Sequence, residues 1–174
     1  MAFEMRRPLS LLLSCLAILA LPFASAENVL RSTSLRACQA NSEFTASLFD
    51  VVFTPNNNTV SINMAATTTI QGLVVFDISI RAYGYQFIRT TIDPCEINLP
   101  GLCPMAPGNH NQPPFNLKLE PSAVRQIPGI AYTFPDLDAT VKVLFNMTDG
   151  SKTGQTVACV QANISNGMTG SFGH

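Results

Sequence analysis

The chain has 174 residues, 12% of them charged and 47% hydrophobic, with a formal net charge of −1. That length suits one domain with a core of useful size. No basic block occurs along it, which argues against nucleic acid and anionic membrane surfaces as partners, because both require clustered Lys and Arg.

The first element is a targeting signal. Arg6 and Arg7 precede an apolar run from Leu9 to Leu21, broken only by Ser10 and Ser14, and Phe23-Ala24-Ser25-Ala26 follows. A basic start, a short apolar core and small residues before Glu27 predict a signal peptide over residues 1–26. The run is shorter than the roughly 20 apolar residues that cross a bilayer. The processed domain is then expected over 27–166, with 167–174 a loose tail, in the secretory pathway, lumenal or extracellular. Loss of Glu4, Arg6 and Arg7 leaves it slightly more acidic.

Cleavage also removes Cys15 and leaves Cys38, Cys95, Cys103 and Cys159. An even set in an exported chain predicts disulfides, and three pairings are open. The short loop from Cys95 to Cys103 carries Pro94, Pro100, Gly101 and Pro104 and can close on itself, in which case Cys38 would join Cys159. Three sequons, at Asn57, Asn146 and Asn163, fit export and mark candidate N-glycosylation sites.

From Phe44 onward the pattern has period two, the mark of strands with one polar face. Phe44, Ala46 and Leu48 give way to Val51 and Phe53, a parity switch that predicts a β-bulge near Asp50. Val60, Ile62, Met64, Ala66 and Ile70 alternate with polar neighbours, as do Val74, Phe76, Ile78, Ile80 and Ala82. Gln71-Gly72 between these two strands suits a hairpin turn. The segment from Ile92 to Pro114 holds six prolines and reads as a long loop pinned by its cysteines.

Phe115, Leu117 and Leu119 form a short strand that Pro121 ends. Val141, Val143, Phe145 and Met147 alternate with Lys142, Leu144, Asn146 and Thr148, which puts Asn146 on the outward face. Asp149-Gly150 then turns the chain into Val157–Ile164. There Cys159 and Asn163 share parity, so a buried cystine and an exposed glycan conflict unless the strand twists or bulges. These elements predict an all-β fold: an immunoglobulin-like β-sandwich of two antiparallel sheets with six to eight strands and two disulfides.

Catalytic chemistry is poorly supplied. After cleavage the histidines are His110, in the Pro-rich loop, and His174, at the last position, and neither sits on a scaffold that fixes a general base. Cys95 and Cys103 are too far apart for a CxxC redox pair, and no metal-ligand spacing or phosphate loop occurs. Asp136 and Asp138 flank Leu137 on a solvated face rather than forming a glycosidase pair. The expectation is a non-enzyme without cofactor or metal. What the sequence has in surplus is apolar residues, which either fill a core or line a slot between splayed sheets.

The Cys103-Pro104 loop, the strand Phe115–Leu119, the stretch Ile127-Pro128-Gly129-Ile130-Ala131-Tyr132-Thr133-Phe134-Pro135-Asp136-Leu137, the strand Val141–Phe145, Asp149-Gly150 and Ala158-Cys159-Val160 together resemble the MD-2-related lipid-recognition (ML) pattern. With Leu30–Cys38 at the start, the chain is most similar to the ML-like amino-terminal domain of fungal TRP-like and flavin carrier membrane proteins. That resemblance implies a sandwich whose slot binds a sterol or phospholipid without catalysis. It also implies the pairs Cys38–Cys159 and Cys95–Cys103, and it departs from many ML proteins in lacking a third disulfide. Proteins of the flavin carrier type continue into a multispanning membrane region. The chain ends at His174 without one, so it is expected to be either a truncated portion, partnered by a membrane domain it lacks, or a free-standing lumenal domain.

On this reading Phe53, Phe76, Ile78, Ile80, Phe87, Phe134, Val143 and Phe145 face inward and line a lipid pocket, with apolar burial of about 25 cal/mol per Å² driving capture. The alternative is a solid-core sandwich that acts by surface contact as a regulatory or assembly domain. A hydrolase would survive only through His110.

Overall fold

The computed structural model describes residues 29–99, 101–111 and 113–168. Residues 1–28, which include the expected signal peptide, and 169–174, most of the expected tail, lie outside them. Two antiparallel sheets of five strands each pack face to face. The first is built on β3 (Phe44–Thr54) and β4 (Thr59–Thr68), with β1 (Leu30–Ser32) on the outer side of β3. Two short strands, β7 (Gly108–Asn111) and β8 (Phe115–Lys118), pair with opposite ends of β4. The second sheet runs β2-β10-β9-β5-β6, with β2 at Leu35–Ala37, β10 at Thr156–Ile164, β9 at Ala139–Met147, β5 at Val74–Ala82 and β6 at Tyr85–Ile92. This is the expected fold class, with ten described strands rather than six to eight. The additional ones include pieces of three and four residues, too short to show alternation. β6 escapes detection for another reason: its register against β5 shifts between Ile80 and Arg81, so its apolar residues do not keep one parity.

Three local expectations are corrected. Gln71-Gly72 is not a hairpin turn, because β4 and β5 lie in different sheets and the segment crosses between them. Gly72 exchanges two backbone hydrogen bonds with Met105, N–H to O at 3.0 and 2.9 Å, which tie the crossover to the Pro-rich segment. The bulge in β3 falls between Ala46 and Leu48, earlier than Asp50, so Leu48 points outward and is 43% exposed. The Pro-rich segment is not all loop either, since it contributes β7 and with it His110.

Gly72 has φ +125°, and a Cβ there would stand 2.4 Å from Asp149 Oδ1, the oxygen that accepts from Leu73 N–H at 2.8 Å. Both the backbone angle and the space require glycine. Gly72→Ala is expected to lower stability by about 2–3 kcal/mol, from a strained φ together with a displaced acceptor, read as a shift in urea midpoint at unchanged slope.

The core is graded along the strands. At one end Phe145 sits between Phe44 and Phe76, with ring centroids 4.9 and 4.7 Å away. Ile70, Val74, Met105, Met147, Val157 and Val160 close around the three rings. Further along β5 and β9 the inward positions Ile78, Ile80, Val141 and Val143 are only half-buried. The sandwich is filled at the first end and opens toward the second.

Cys38 joins Cys159, and Cys95 joins Cys103. The first is a cross-strand link between β10 and the residue after β2, where Cys38 N–H donates to Cys159 O at 2.9 Å. It lies on the outer face of the second sheet, since Ala158, Val160 and Ala162 point inward. The parity conflict therefore resolves: Cys159 and Asn163 share that outer face, Cys159 covered by its neighbours and Asn163 exposed.

Candidate functional site: an apolar cleft at the open end

At the open end, Ile80 and Ala82 from β5, Ala139 from β9, Ile164 from β10, Leu30 from β1 and Phe87 and Ile88 from β6 surround a cleft of about 80 Å³. It is roofed by the link from β8 to β9, through Gln126, Ile127, Pro128, Ile130, Ala131 and Leu137. Apart from Tyr83 and Gln126, every lining side chain is apolar. The roof begins with a single helical turn, α1 (Pro121–Val124), followed by a 3₁₀ turn at Gly129–Tyr132, and no residue from Pro121 to Asp138 is buried.

Among the described residues, the roof is tied to the sandwich mainly through backbone groups. Asn166 Nδ2 donates to Ala131 O and Phe134 O at 3.0 and 2.8 Å, Asp136 N–H donates to Met168 O at 3.0 Å, and Tyr83 N–H donates to Asp138 O at 2.9 Å. Met168, assigned from sequence to the loose tail, is thus tied to the roof. Burial pushes the Tyr132 phenol above its ordinary pKa.

The rim of the cleft is unusually apolar. Tyr85 is 75% exposed, Ile130 57%, Phe134 49% and Phe87 46%, and Tyr83 packs edge-on against Phe134 with centroids 5.8 Å apart. Tyr83 and Gly84 form a two-residue turn in which both have positive φ, 49° and 80°, as a type I′ hairpin demands. A tyrosine in that conformation is uncommon.

The eight residues expected to line a pocket are spread along this gradient. Ile80 and Phe87 line the cleft. Phe76 and Phe145 belong to the filled end, with Ile78 and Val143 packed against it. Phe53 is buried on β3 opposite Leu30. Phe134 points out, half exposed on the rim, because the roof carries its apolar side chains on irregular backbone where strand parity does not apply. The roof residues Ile127, Ile130, Ala131 and Leu137 were missed as lining, although their density in a segment without a cation after Arg125 was visible.

The remaining candidates are placed as follows. His110 Nε2 lies 2.6 Å from Ala106 O, a backbone partner rather than a nucleophile or carboxylate. Among the described residues no group of three His, Cys, Asp or Glu could hold a metal, and no helix is long and apolar enough to cross a membrane. Asn57 and Asn163 are exposed. Asn146 is half-buried on the outward face, its amide donating to Asp77 Oδ2 at 3.0 Å and accepting from Thr156 Oγ1 at 2.6 Å.

A two-sheet, immunoglobulin-like sandwich with two disulfides and an apolar cleft under an irregular roof defines the class of this domain. The family described as ML-like domain matches residues 30–170, and the chain belongs to it. It is 42% identical to Flavin carrier protein 2 of Saccharomyces cerevisiae over 146 residues, which is 84% of this chain and 18% of that protein. It is 34% identical to the TRP-like ion channel pkd2 of Schizosaccharomyces pombe over 142 residues, 78% of this chain and 19% of that one. The chain thus spans about a fifth of the length of the curated relatives it matches. Among solved structures it is similar to chicken MD-1 complexed with lipid IVa, at a TM-score of 0.47 and 19% identity, covering 82% of this chain and 93% of that one.

Proposed function

We propose that this domain is a non-catalytic lipid-recognition module of the secretory pathway, lumenal or extracellular, which takes the apolar part of a sterol or phospholipid into the cleft at its open end. The observation that carries the reading is an apolar cleft beneath a roof without a single buried residue. As it stands, the cleft is much smaller than the roughly 300–1,000 Å³ of ordinary ligand pockets. Loading therefore requires the roof to lift, and the absence of any buried residue in it makes that inexpensive. The relatives' names support a wider setting, as the lumenal portion of a flavin carrier or TRP-like membrane protein.

Ala82 lines the cleft without being fully buried, so Ala82→Phe fills it at small cost to the core. Titration with a dansyl-labelled long-chain fatty acid is expected to show at least a tenfold weaker affinity for this variant, with a melting temperature near wild type. Backbone amide exchange over residues 127–137 is expected to change on binding. Unchanged probe affinity in Ala82→Phe would exclude the cleft as the site. The densely filled end favours a second reading, action by surface contact. That reading predicts no co-purifying lipid in native mass spectra of protein purified from its own host.

A further inference from the structure

Four of the cations in the described residues, Arg36, Arg81, Arg89 and Lys142, stand on the outer face of the second sheet. Strand register brings them together: Arg89 pairs with Ser79, Ser79 with Lys142, Lys142 with Gln161, and Gln161 with Arg36. These five residues form one row across the sheet, and Arg81 lies in the next row toward the β5–β6 turn. Adjacent strands are about 4.8 Å apart, so the row spans about 19 Å. The face is hollowed, enclosing about 490 Å³, with the turn residues Tyr83 and Gly84 forming one wall.

Three of these cations form no salt bridge among the described residues. Arg31 is paired with Asp50 and Lys152 with Glu43, whereas Arg81, Arg89 and Lys142 engage no carboxylate among the described residues. Two carboxylates share the hollow, Asp77, which accepts from Thr91 and Asn146, and Asp138, and neither forms a salt bridge with these three cations. The outer face of the first sheet is different, because its polar groups satisfy one another, as in Ser61–Asn116 at 2.6 Å and Thr67–Asn109 at 2.7 Å. Tyr83 lines both the hollow and the apolar cleft, so the cations adjoin the aromatic rim.

We propose that the β5–β6 end docks on an anionic phospholipid surface, with Arg81, Arg89 and Lys142 meeting phosphate groups while Tyr83, Tyr85 and Phe87 seat at headgroup level. Ser79 is three residues from Ala82, about 10 Å along the strand. Elements lying in a bilayer interface bury about 5–10 Å, so an inserted turn brings the row to the phosphates, which the long basic side chains reach by snorkelling. Aromatic residues with one polar end favour that same depth. The proposal rests on the lipid-recognition reading for its purpose, presenting the cleft mouth to a bilayer, though not for its chemistry.

The test is co-sedimentation of the processed chain, residues 27–174, with vesicles of phosphatidylcholine alone and with about 30% phosphatidylserine, at low and high salt. The expected result is preference for the anionic vesicles, weakened by salt, with about a fivefold loss of partitioning for each cation removed. Arg89→Glu with Lys142→Glu should abolish the preference, and Arg89→Lys should retain it, both with unchanged melting. Equal partitioning onto neutral vesicles overturns the proposal. So does saturable pyrophosphate binding without vesicle binding, which would mark a site for free anions. Dansyl fatty acid titration in the absence of vesicles is expected to be unaffected by the charge reversals, so failure of docking and failure of the cleft are read separately.

Discussion

Replacing Cys38 and Cys159 together with alanine is expected to lower stability by about 5 kcal/mol, whereas the same change at Cys95 and Cys103 is expected to cost about half as much. The first pair closes a loop with a sequence separation of 121 residues and the second a separation of 8. In the chain-entropy account, the loss on opening a loop grows with the logarithm of its length. The geometry isolates that effect. Cys38 and Cys159 meet on the outer face of the second sheet, away from the Phe44, Phe76 and Phe145 rings, so small side chains there leave the inner packing intact. The strand pairing between Val160 and Ala37 also remains available. Urea unfolding of the two double variants would show the difference as midpoints displaced at similar slopes, and a melting temperature lower by about 15 °C for the first, at roughly 3 °C per kcal/mol. Equal losses would mean that local packing, rather than loop length, sets the contribution of each link.

The fold was legible where alternation is long and one face is buried. β4, β5, β9 and β10 follow from their period-two runs, and the turn at Asp149-Gly150 joins β9 to β10 as read. What did not follow was anything decided by neighbours across the sheets. Gln71-Gly72 has hairpin chemistry, yet Thr68 and Val74 belong to different layers, and only the pairing of β4 with β3 and of β5 with β9 reveals a crossover. The candidate site shows the same limit. Alternation names Phe76, Ile78 and Ile80 as one inward stripe without saying that the sheets close at the first and part at the last. The roof had no period to read. Nor could the cationic row be seen, since Arg36, Arg89 and Lys142 are far apart along the chain and only strand register aligns them; the absence of a basic block was a fact about the sequence that did not extend to the surface.

The graded core predicts a matching gradient in the cost of truncation. Phe145 is 5% exposed and touches aromatic rings on both sides, one from each sheet. Removing its ring in Phe145→Ala takes away a large buried apolar area and leaves a void that Phe44 and Phe76 cannot fill without leaving their own rotamers. The expected loss is about 3–5 kcal/mol. Ile80 lies on the inward stripe of the neighbouring strand, two inward positions beyond Phe76, the partner of Phe145, toward the cleft, where the walls already stand apart. Ile80→Ala removes less buried surface and merges its void with space that is open, so its expected cost is no more than about 2 kcal/mol. The two variants should also separate in function. Enlarging the cleft at Ile80 is expected to strengthen binding of the dansyl fatty acid or leave it intact, whereas the void at Phe145 is sealed from the mouth and should add no binding. Denaturant melts with parallel probe titrations would decide the matter: comparable destabilisation at both positions would mean that the sandwich is packed uniformly and that the cleft is a surface dimple with no path inward.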